Sequence, residues 1–438
     1  MQLVEQHVIG KNDPRFEAID QTAFLSKNLY NAANYLVRQA FILDHRYIPY
    51  NQLDKLMKPA PDYCALARKV SQWVLKQLDH DWQAFFAASR TYRENPDVFT
   101  GRPKLPKYKH KTEGRNLLTY TVQAVSQKGL REGLVQPSGL AIEVPTSHPQ
   151  LQQVRIVPHK THYTLEVVYE KTPQIAENLN PAWYAGGDIG LDNLVTITSN
   201  KPGFVPVVVN GRPLKSSNQY YNQRRAELQS RLPVGASSKR LERLTDKRNR
   251  RIQYELHLAS RRVIELLLEE GIGTLVIGKN AGWKQEINLG RRTNQNFVSI
   301  PHARYIEMLA YKAELVGIRV IVREESYTSK CSFLDVEPIE RHATYLGRQV
   351  KRGLFISAQG RRIQADVNGS YNILRKEVPC AFHAAGIEAA VVRPVRLVLA
   401  KHKTRQCHKG ASLKLQALTR QVAKNGSQAS EQVGKLRK

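Results

Sequence analysis

At 438 residues the chain is too long for one ordinary core, so two or three domains are expected, and 41% hydrophobic residues are enough to pack them. Against 38 acidic residues stand 67 lysines and arginines, a net charge of +29 that points to a polyanionic partner, most simply nucleic acid. No apolar run approaches the ~20 residues of a membrane span, the first residues lack a signal-peptide pattern, and Cys64, Cys331, Cys380 and Cys407 contain no C-x-x-C spacing. A disulfide framework and a four-thiolate zinc site are therefore excluded, and a reducing, cytoplasmic compartment is expected.

Residues 1–10 alternate as a strand does. From Arg15 to Glu94 the period becomes helical: Phe16, Ile19, Leu25, Leu29, Ala33 and Leu36 recur at i+3/i+4 spacing, as do Val70, Val74, Leu78, Trp82 and Phe85. The aromatic stripe reads as core packing. Residues 99–111 follow, where Pro103 and Pro106 forbid a helix or a central strand. Arg102, Lys104, Lys107, Tyr108 and Lys109 then project from a stiff, extended segment that reads as a phosphate-tracking strap, with a solvated loop as the alternative.

Residues 115–171 switch to period two, with strands expected at 117–122, 140–144, 154–157 and 163–169. They form an antiparallel barrel or small sheet that residues 1–10 can join, with the helices inserted between. Residues 172–181 read as a linker. From Gly186 the pattern is α/β: strands at 187–191, 194–197 and 204–209, a basic helical pair over roughly 216–270 interrupted at 233–235, strand 274–278, helix 301–316, strand 319–323 and a helix carrying Asp366. That is the element order of an RNase H-like sheet. Residues 379–438 read as a basic, largely disordered tail.

Two acids sit in matching contexts, Asp188 after a glycine pair that reads as a strand break and Asp366 before Asn368 and Gly369. Carboxylates held apart in sequence within a basic chain suit divalent ions set against phosphate. Hydrolysis of a phosphodiester by two metals needs carboxylates bridging cations about 3.5–4 Å apart, and hard oxygen ligands fit Mg²⁺ or Mn²⁺. Asp366 also has the place of an N-cap acid. Asp192 reads as a loop acid.

At these residues a resemblance emerges. Residues 101–109 (Gly-Arg-Pro-Lys-Leu-Pro-Lys-Tyr-Lys), the segment from Asp188 to Leu194, residues 277–285 (Ile-Gly-Lys-Asn-Ala-Gly-Trp-Lys-Gln), residues 327–332 (Tyr-Thr-Ser-Lys-Cys-Ser) and residues 366–372 (Asp-Val-Asn-Gly-Ser-Tyr-Asn) resemble the TnpB (OrfB) proteins of bacterial insertion sequences, over nearly everything up to about residue 380. The resemblance implies a multidomain α+β fold: a β-barrel wedge domain (1–14 and 98–175) with an inserted helical recognition lobe (15–97). An RNase H-like (RuvC) nuclease domain (182–330 and 363–378) would follow, carrying a small nucleic-acid-binding insert (331–362). It implies an RNA-guided DNA endonuclease related to type V CRISPR effectors, with guide RNA and double-stranded DNA bearing a short flanking motif as partners.

The chain departs from that pattern twice. The family's second catalytic carboxylate, a glutamate, falls at Gly278, and of the paired cysteines that form a zinc ribbon only Cys331 remains, so no zinc is expected and the insert should fold on its own apolar contacts. Glu325 is the leading replacement. Its strand should lie about 4.8 Å from the one ending at Gly278, and period two turns Glu324 to the opposite face. Glu324, Glu286 and a site without a third acid are the remaining alternatives. The expected metal ligands and catalytic residues are thus Asp188, Glu325 and Asp366.

The basic helical pair holds Arg224, Arg225, Arg231, Lys239, Arg240, Arg243, Lys247, Arg248, Arg250 and Arg251 with few acids to neutralise them, and reads as a channel wall for a guide–target heteroduplex. Arg348, Lys351, Arg352, Arg361 and Arg362 suit a displaced or cleaved strand; Trp283 and Lys284 are structural or face nucleic acid. The expectation is a Mg²⁺-dependent, RNA-guided endonuclease in the prokaryotic cytoplasm beside the nucleoid. A nuclease-inactive RNA-guided repressor and a CRISPR-array effector are the rivals. Both a monomer and a dimer are compatible with the chain.

Overall fold

In a computed structural model, residues 1–280, 300–380, 382 and 393–397 are described. The first part of the chain comprises β1 (Gln2–Gly10), α1 (Phe16–Leu43), α2 (Tyr50–Met57), α3 (Pro61–Cys64), α4 (Arg68–Glu94), β2 (Leu118–Thr121), α5 (Gln127–Arg131), β3 (Leu134–Val135), β4 (Val144–Pro145), β5 (Leu151–Pro158) and β6 (His162–Glu170). The antiparallel order β1-β6-β5-β2 makes an open sheet, and β3-β4 is a separate ribbon, so hydrogen bonding closes no barrel among the described residues. β1 pairs with β6 from Gln2↔Glu170 to Gly10↔His162, which joins the chain's start to the strand that follows the helices. Trp82 is fully buried, and its indole N–H donates to Asn34 (3.1 Å) among Phe41, Phe85 and Phe86. The aromatic stripe is core, and one continuous core spans helices and sheet.

The strand expected at 140–144 does not form. Leu140, Ile142 and Val144 are buried in alternation, as period two requires, but only Val144 and Pro145 find a ladder partner. Burial periodicity reports an extended, half-covered segment; a strand also needs a neighbour's backbone.

The second part contains β7 (Asn180–Asp188), β8 (Asn193–Ser199), β9 (Val207–Asn210), α6 (Arg212–Gln229), α7 (Lys239–Glu269), β10 (Ile272–Gly278), α8 (His302–Glu314), β11 (Arg319–Arg323), β12 (Arg348–Lys351), β13 (Leu354–Ile356), β14 (Arg362–Ile363), α9 (Ala365–Glu377) and β15 (Val395–Leu397). The large sheet has the order β11-β10-β7-β8-β9-β15, with β8 antiparallel to both neighbours and β10 and β11 parallel to β7. Alternation divides its faces. Ala185, Leu275 and Ile277 pack with Ile252, Leu256, Ala259 and Val263 of α7 and with α8, whereas Val276 meets Ile373 and Leu374 of α9. Helices therefore cover both sides.

Two expectations are corrected here. β7 begins inside the expected linker and runs through Gly186 and Gly187, which are paired on both sides, to stop at Asp188. The glycine pair breaks nothing, because flanking ladders hold it extended. Val395–Leu397, expected in a disordered tail, pairs in parallel with β9 (Arg396↔Val208). The rest of the expected tail, residues 381, 383–392 and 398–438, lies outside the described residues, as do Trp283, Lys284 and Glu286.

The insert forms a three-stranded sheet, β12-β13-β14. Its core is not wholly its own: Phe333, Leu334, Phe355 and Ile363 pack with Val367 and Tyr371 of α9, and Phe333 stacks on Tyr371 at 4.4 Å. Cys331 is buried, with its thiol 3.6 Å from the Glu340 carbonyl oxygen. Among the described residues, no helix is long and apolar enough to cross a membrane.

Candidate active site

The parallel strands β7, β10 and β11 end at the same edge of the sheet, and the start of α9 returns to it. Asp188 is the last residue of β7. Gly186 and Gly369 let α9 lie almost against that strand: a Cβ at Gly186 would collide with the Ser370 carbonyl oxygen, and one at Gly369 would stand 2.8 Å from Asp188 Oδ2. The Ser370 hydroxyl lies 2.9 Å from the Gly186 carbonyl oxygen and 2.9 Å from the Thr198 hydroxyl, both contacts buried. Small residues on both elements are thus what bring helix and carboxylate together.

Part of the Asp188 residue still meets solvent, yet protein surrounds its carboxylate. Burial first, then the charges of Asp366 and Glu325, push its pKa well above the usual carboxylate range. No described group donates a hydrogen bond to it. Asp366 stands in the first turn of α9 but is not its cap; the cap is Gln364, whose side chain accepts from the Val367 amide (2.7 Å). Asn193 (2.6 Å) and Gln364 (3.0 Å) each donate to Asp366 Oδ2.

Glu325 follows β11 by two residues and lies over Gly278. A Cβ added at Gly278 would collide with the Glu325 carboxylate and stand 2.6 Å from Ile373 Cδ1. Asn280 braces it on both sides, accepting from the Glu325 amide (3.1 Å) and donating to its carboxylate (3.4 Å). Burial first, then the neighbouring Glu324, raise the Glu325 pKa to about 7 against the pull of Lys376. Glu324 turns to the other side, exposed, where Lys376 (2.6 Å) and Ser326 hold it. Behind Glu325, Asn372 donates to the Thr328 and Cys331 carbonyls (2.8 Å each), while Asn368 donates to Cys331 (2.9 Å) and accepts from the Phe333 amide (2.9 Å).

Three carboxylates thus come from three separate elements to one edge. Among the described residues, no three His, Cys, Asp or Glu side chains stand close enough to hold one common ion. The donor set is all oxygen and only partly exposed, a chemistry that suits Mg²⁺ or Mn²⁺.

The basic residues divide. The strap is extended and docked on α1, because Asn31 exchanges bonds with the Lys109 backbone (2.9 Å each way) and Asn34 and Arg38 donate to the Pro106 carbonyl. Arg102, Lys104 and Lys107 are exposed, Arg38 stacks over the half-exposed Tyr108 ring, and the Lys109 ammonium lies over Tyr30. On α7, Lys239, Arg240, Arg243, Lys247, Arg250 and Arg251 are exposed. Arg248 turns inward, donating to Asn218 (2.8 Å) over the Tyr221 ring, and Glu227 pairs with Arg224 and Arg231, so that part of the run is neutralised after all. In the insert, Arg348, Lys351, Arg361 and Arg362 are exposed, but Arg352 pairs with Asp192, which also binds Lys215 (2.8 Å).

Sequence reasoning gave no role to Asn193, Asn280, Gln364, Asn368 or Asn372. Asn193, Asn280, Asn368 and Asn372 lie within the family-like segments and Gln364 two residues before Asp366, and the i, i+4 spacing of Asn368 and Asn372 was the available signal for a helix face that fastens a loop.

The chain as a whole is similar to known proteins. The family model OrfB of the IS605 type, described as "Probable transposase", matches residues 166–284, and that of the Cas12f1-like TNB domain matches residues 302–373. The TnpB-like protein ORF457 of Acidianus two-tailed virus is 23% identical over 408 residues, covering 81% of this chain and 82% of its own. Among solved structures, a Cas12f1–sgRNA–target DNA complex is similar over 85% of this chain and 98% of that one (11% identity, TM-score 0.35). A CRISPR–Cas12f ternary complex is similar over 82% of this chain and 81% of that one (13% identity, TM-score 0.36).

Proposed function

This chain belongs to the TnpB family, and from that premise we propose that it is an RNA-guided DNA endonuclease of an insertion sequence, cutting with Asp188, Glu325 and Asp366. The observation that carries the reading is the meeting of three carboxylates, from the end of β7, the turn after β11 and the first turn of α9, at one sheet edge, two of them with raised pKa values. A fold does not need such a cluster, and it costs stability until cations enter it.

In this reading the second half of the chain is a RuvC-type domain, because the sheet order β9-β8-β7-β10-β11 with helices on both faces is the RNase H arrangement. The first half is the wedge with its inserted recognition helices, divided at 1–14, 15–97 and 98–175. When bound, Mg²⁺ would activate water and stabilise the leaving oxygen of the phosphodiester. Asp188, Glu325 and Asp366 would hold the ions, with Asp188 central and under the charges of both other acids. Asn193 and Gln364 aim Asp366, and Asn280 aims Glu325 across the space left by Gly278. The strap and the exposed face of α7 hold guide RNA and heteroduplex through their phosphates. The site of action is the cytoplasm of a prokaryote.

Plasmid cleavage by protein co-expressed with its own flanking DNA tests this. Guide-dependent cutting, abolished by EDTA and by Asp188→Ala, is expected. Guide-dependent binding without cutting by the wild type would instead make the protein an RNA-guided repressor.

A further inference from the structure

Beside Asp366 the sheet edge opens into a cavity of about 330 Å³. It is lined on one side by the segment after β7, from Gly190 to Asn193, and on the other by the β12–β13 hairpin of the insert at Gln349, Arg352 and Gly353. Arg212, at the start of α6, and Arg396, on β15, form its sides. Five charged side chains line it, and three already have work: Asp192 is paired with Arg352 and Lys215, and Asp366 is held by Asn193 and Gln364. Arg212 and Arg396 are exposed, and neither reaches ion-pair distance of a described acid, although the Arg212 charge helps to hold the Asp192 pKa down.

We propose that this cavity seats a backbone phosphate of the DNA strand presented to the carboxylates, with Arg212 and Arg396 as the two binding cations. The proposal rests on the nuclease reading and adds to it where the strand lies. A strand whose reacting phosphate stands at Asp188 and Asp366 carries a neighbouring phosphate on either side, and the cavity adjoins Asp366. Guanidinium groups match phosphate oxygens in pairs, and two of them facing one hollow favour a phosphodiester over a neutral group. The seat depends on the pairing of β15 with β9, which alone carries Arg396 to the site.

The test places the photo-crosslinker p-benzoylphenylalanine at Gln349 in the guide-loaded full chain and irradiates it with target duplex in EDTA, so that no cutting is needed. The expected result is a crosslink to a target-DNA strand beside the cut site, weakened at least about fivefold by Arg212→Ala with Arg396→Ala and regained with lysine at both positions. Both arginines are exposed, so truncation leaves the cores intact, and thermal melting checks this. No DNA crosslink, or one indifferent to the arginines, overturns the proposal. Cleavage in Mg²⁺ is read in parallel. An arginine-dependent crosslink from a wild type that never cuts keeps the seat and removes the nuclease reading. Normal cutting without a crosslink does the reverse.

Discussion

On one wall of the site β7 and α9 meet with almost no side chain between them: glycine faces backbone at Gly186 and carboxylate at Gly369, and the Ser370 hydroxyl ties the two elements together. On the other wall β10 and β11 leave a gap at Gly278, and Glu325 fills it from beyond the strand's end, steadied by Asn280. The first wall fixes its acid by close packing and has no slack. The second fixes its acid by a brace, and the loop behind that acid is lashed to α9 by Asn368 and Asn372. A carboxylate held by a brace can be supplied from a neighbouring strand; one held by backbone contact cannot. Of the three acids, Asp188 is set by close packing, whereas Asp366 and Glu325 are each set by amide partners.

Between the two walls, the larger effect is expected from Gly369→Ala. In a helix this change ordinarily stabilises, but here the methyl group meets Asp188 Oδ2 at 2.8 Å. Displacing that carboxylate should cost on the order of 10²-fold in single-turnover cleavage, with little change in helix content by circular dichroism. On the braced wall, Asn280→Ala leaves the packing intact and frees Glu325, so a smaller loss is expected, about tenfold in the same assay. Equal losses from the two substitutions would remove the distinction.

The smallest effect concerns stability. Glu325 has its pKa raised from 4.5 to about 7, so the folded state holds the proton more tightly than the unfolded chain does. Its contribution to metal-free stability therefore falls as pH rises between those values. Glu325→Gln should stabilise the metal-free protein at pH 8 by about 1–2 kcal/mol and leave it near wild type below pH 4.5, read as urea midpoints. Added Mg²⁺ should stabilise the wild type more than the variant.

Much of this was legible in the sequence. Period-two runs gave β1, β5 and β6, the 3.6-residue period gave α1, α4 and α7, and the settings of Asp188 and Asp366 marked the edge where both lie. Illegible features were those that depend on a distant partner. The alternation at Leu140, Ile142 and Val144 records burial without revealing that most of the segment lacks a neighbouring strand. Gly186 and Gly187 read as a break because nothing local announces the ladders on either side or the helix above. Arg396 falls in a stretch whose composition resembles a tail, and its strand exists only by pairing with β9. Arg248 and Arg352 count as free cations until Asn218 and Asp192 are seen to receive them.

The most direct test is single-turnover cleavage by the guide-loaded protein carrying Glu325→Ala, alone and combined with Gly278→Glu. If Glu325 supplies the carboxylate that Gly278 lacks, the single variant loses activity by about 10³-fold or more while still binding target DNA, and restoring an acid at position 278 recovers a measurable part of it. Undiminished cleavage by Glu325→Ala would contradict the account.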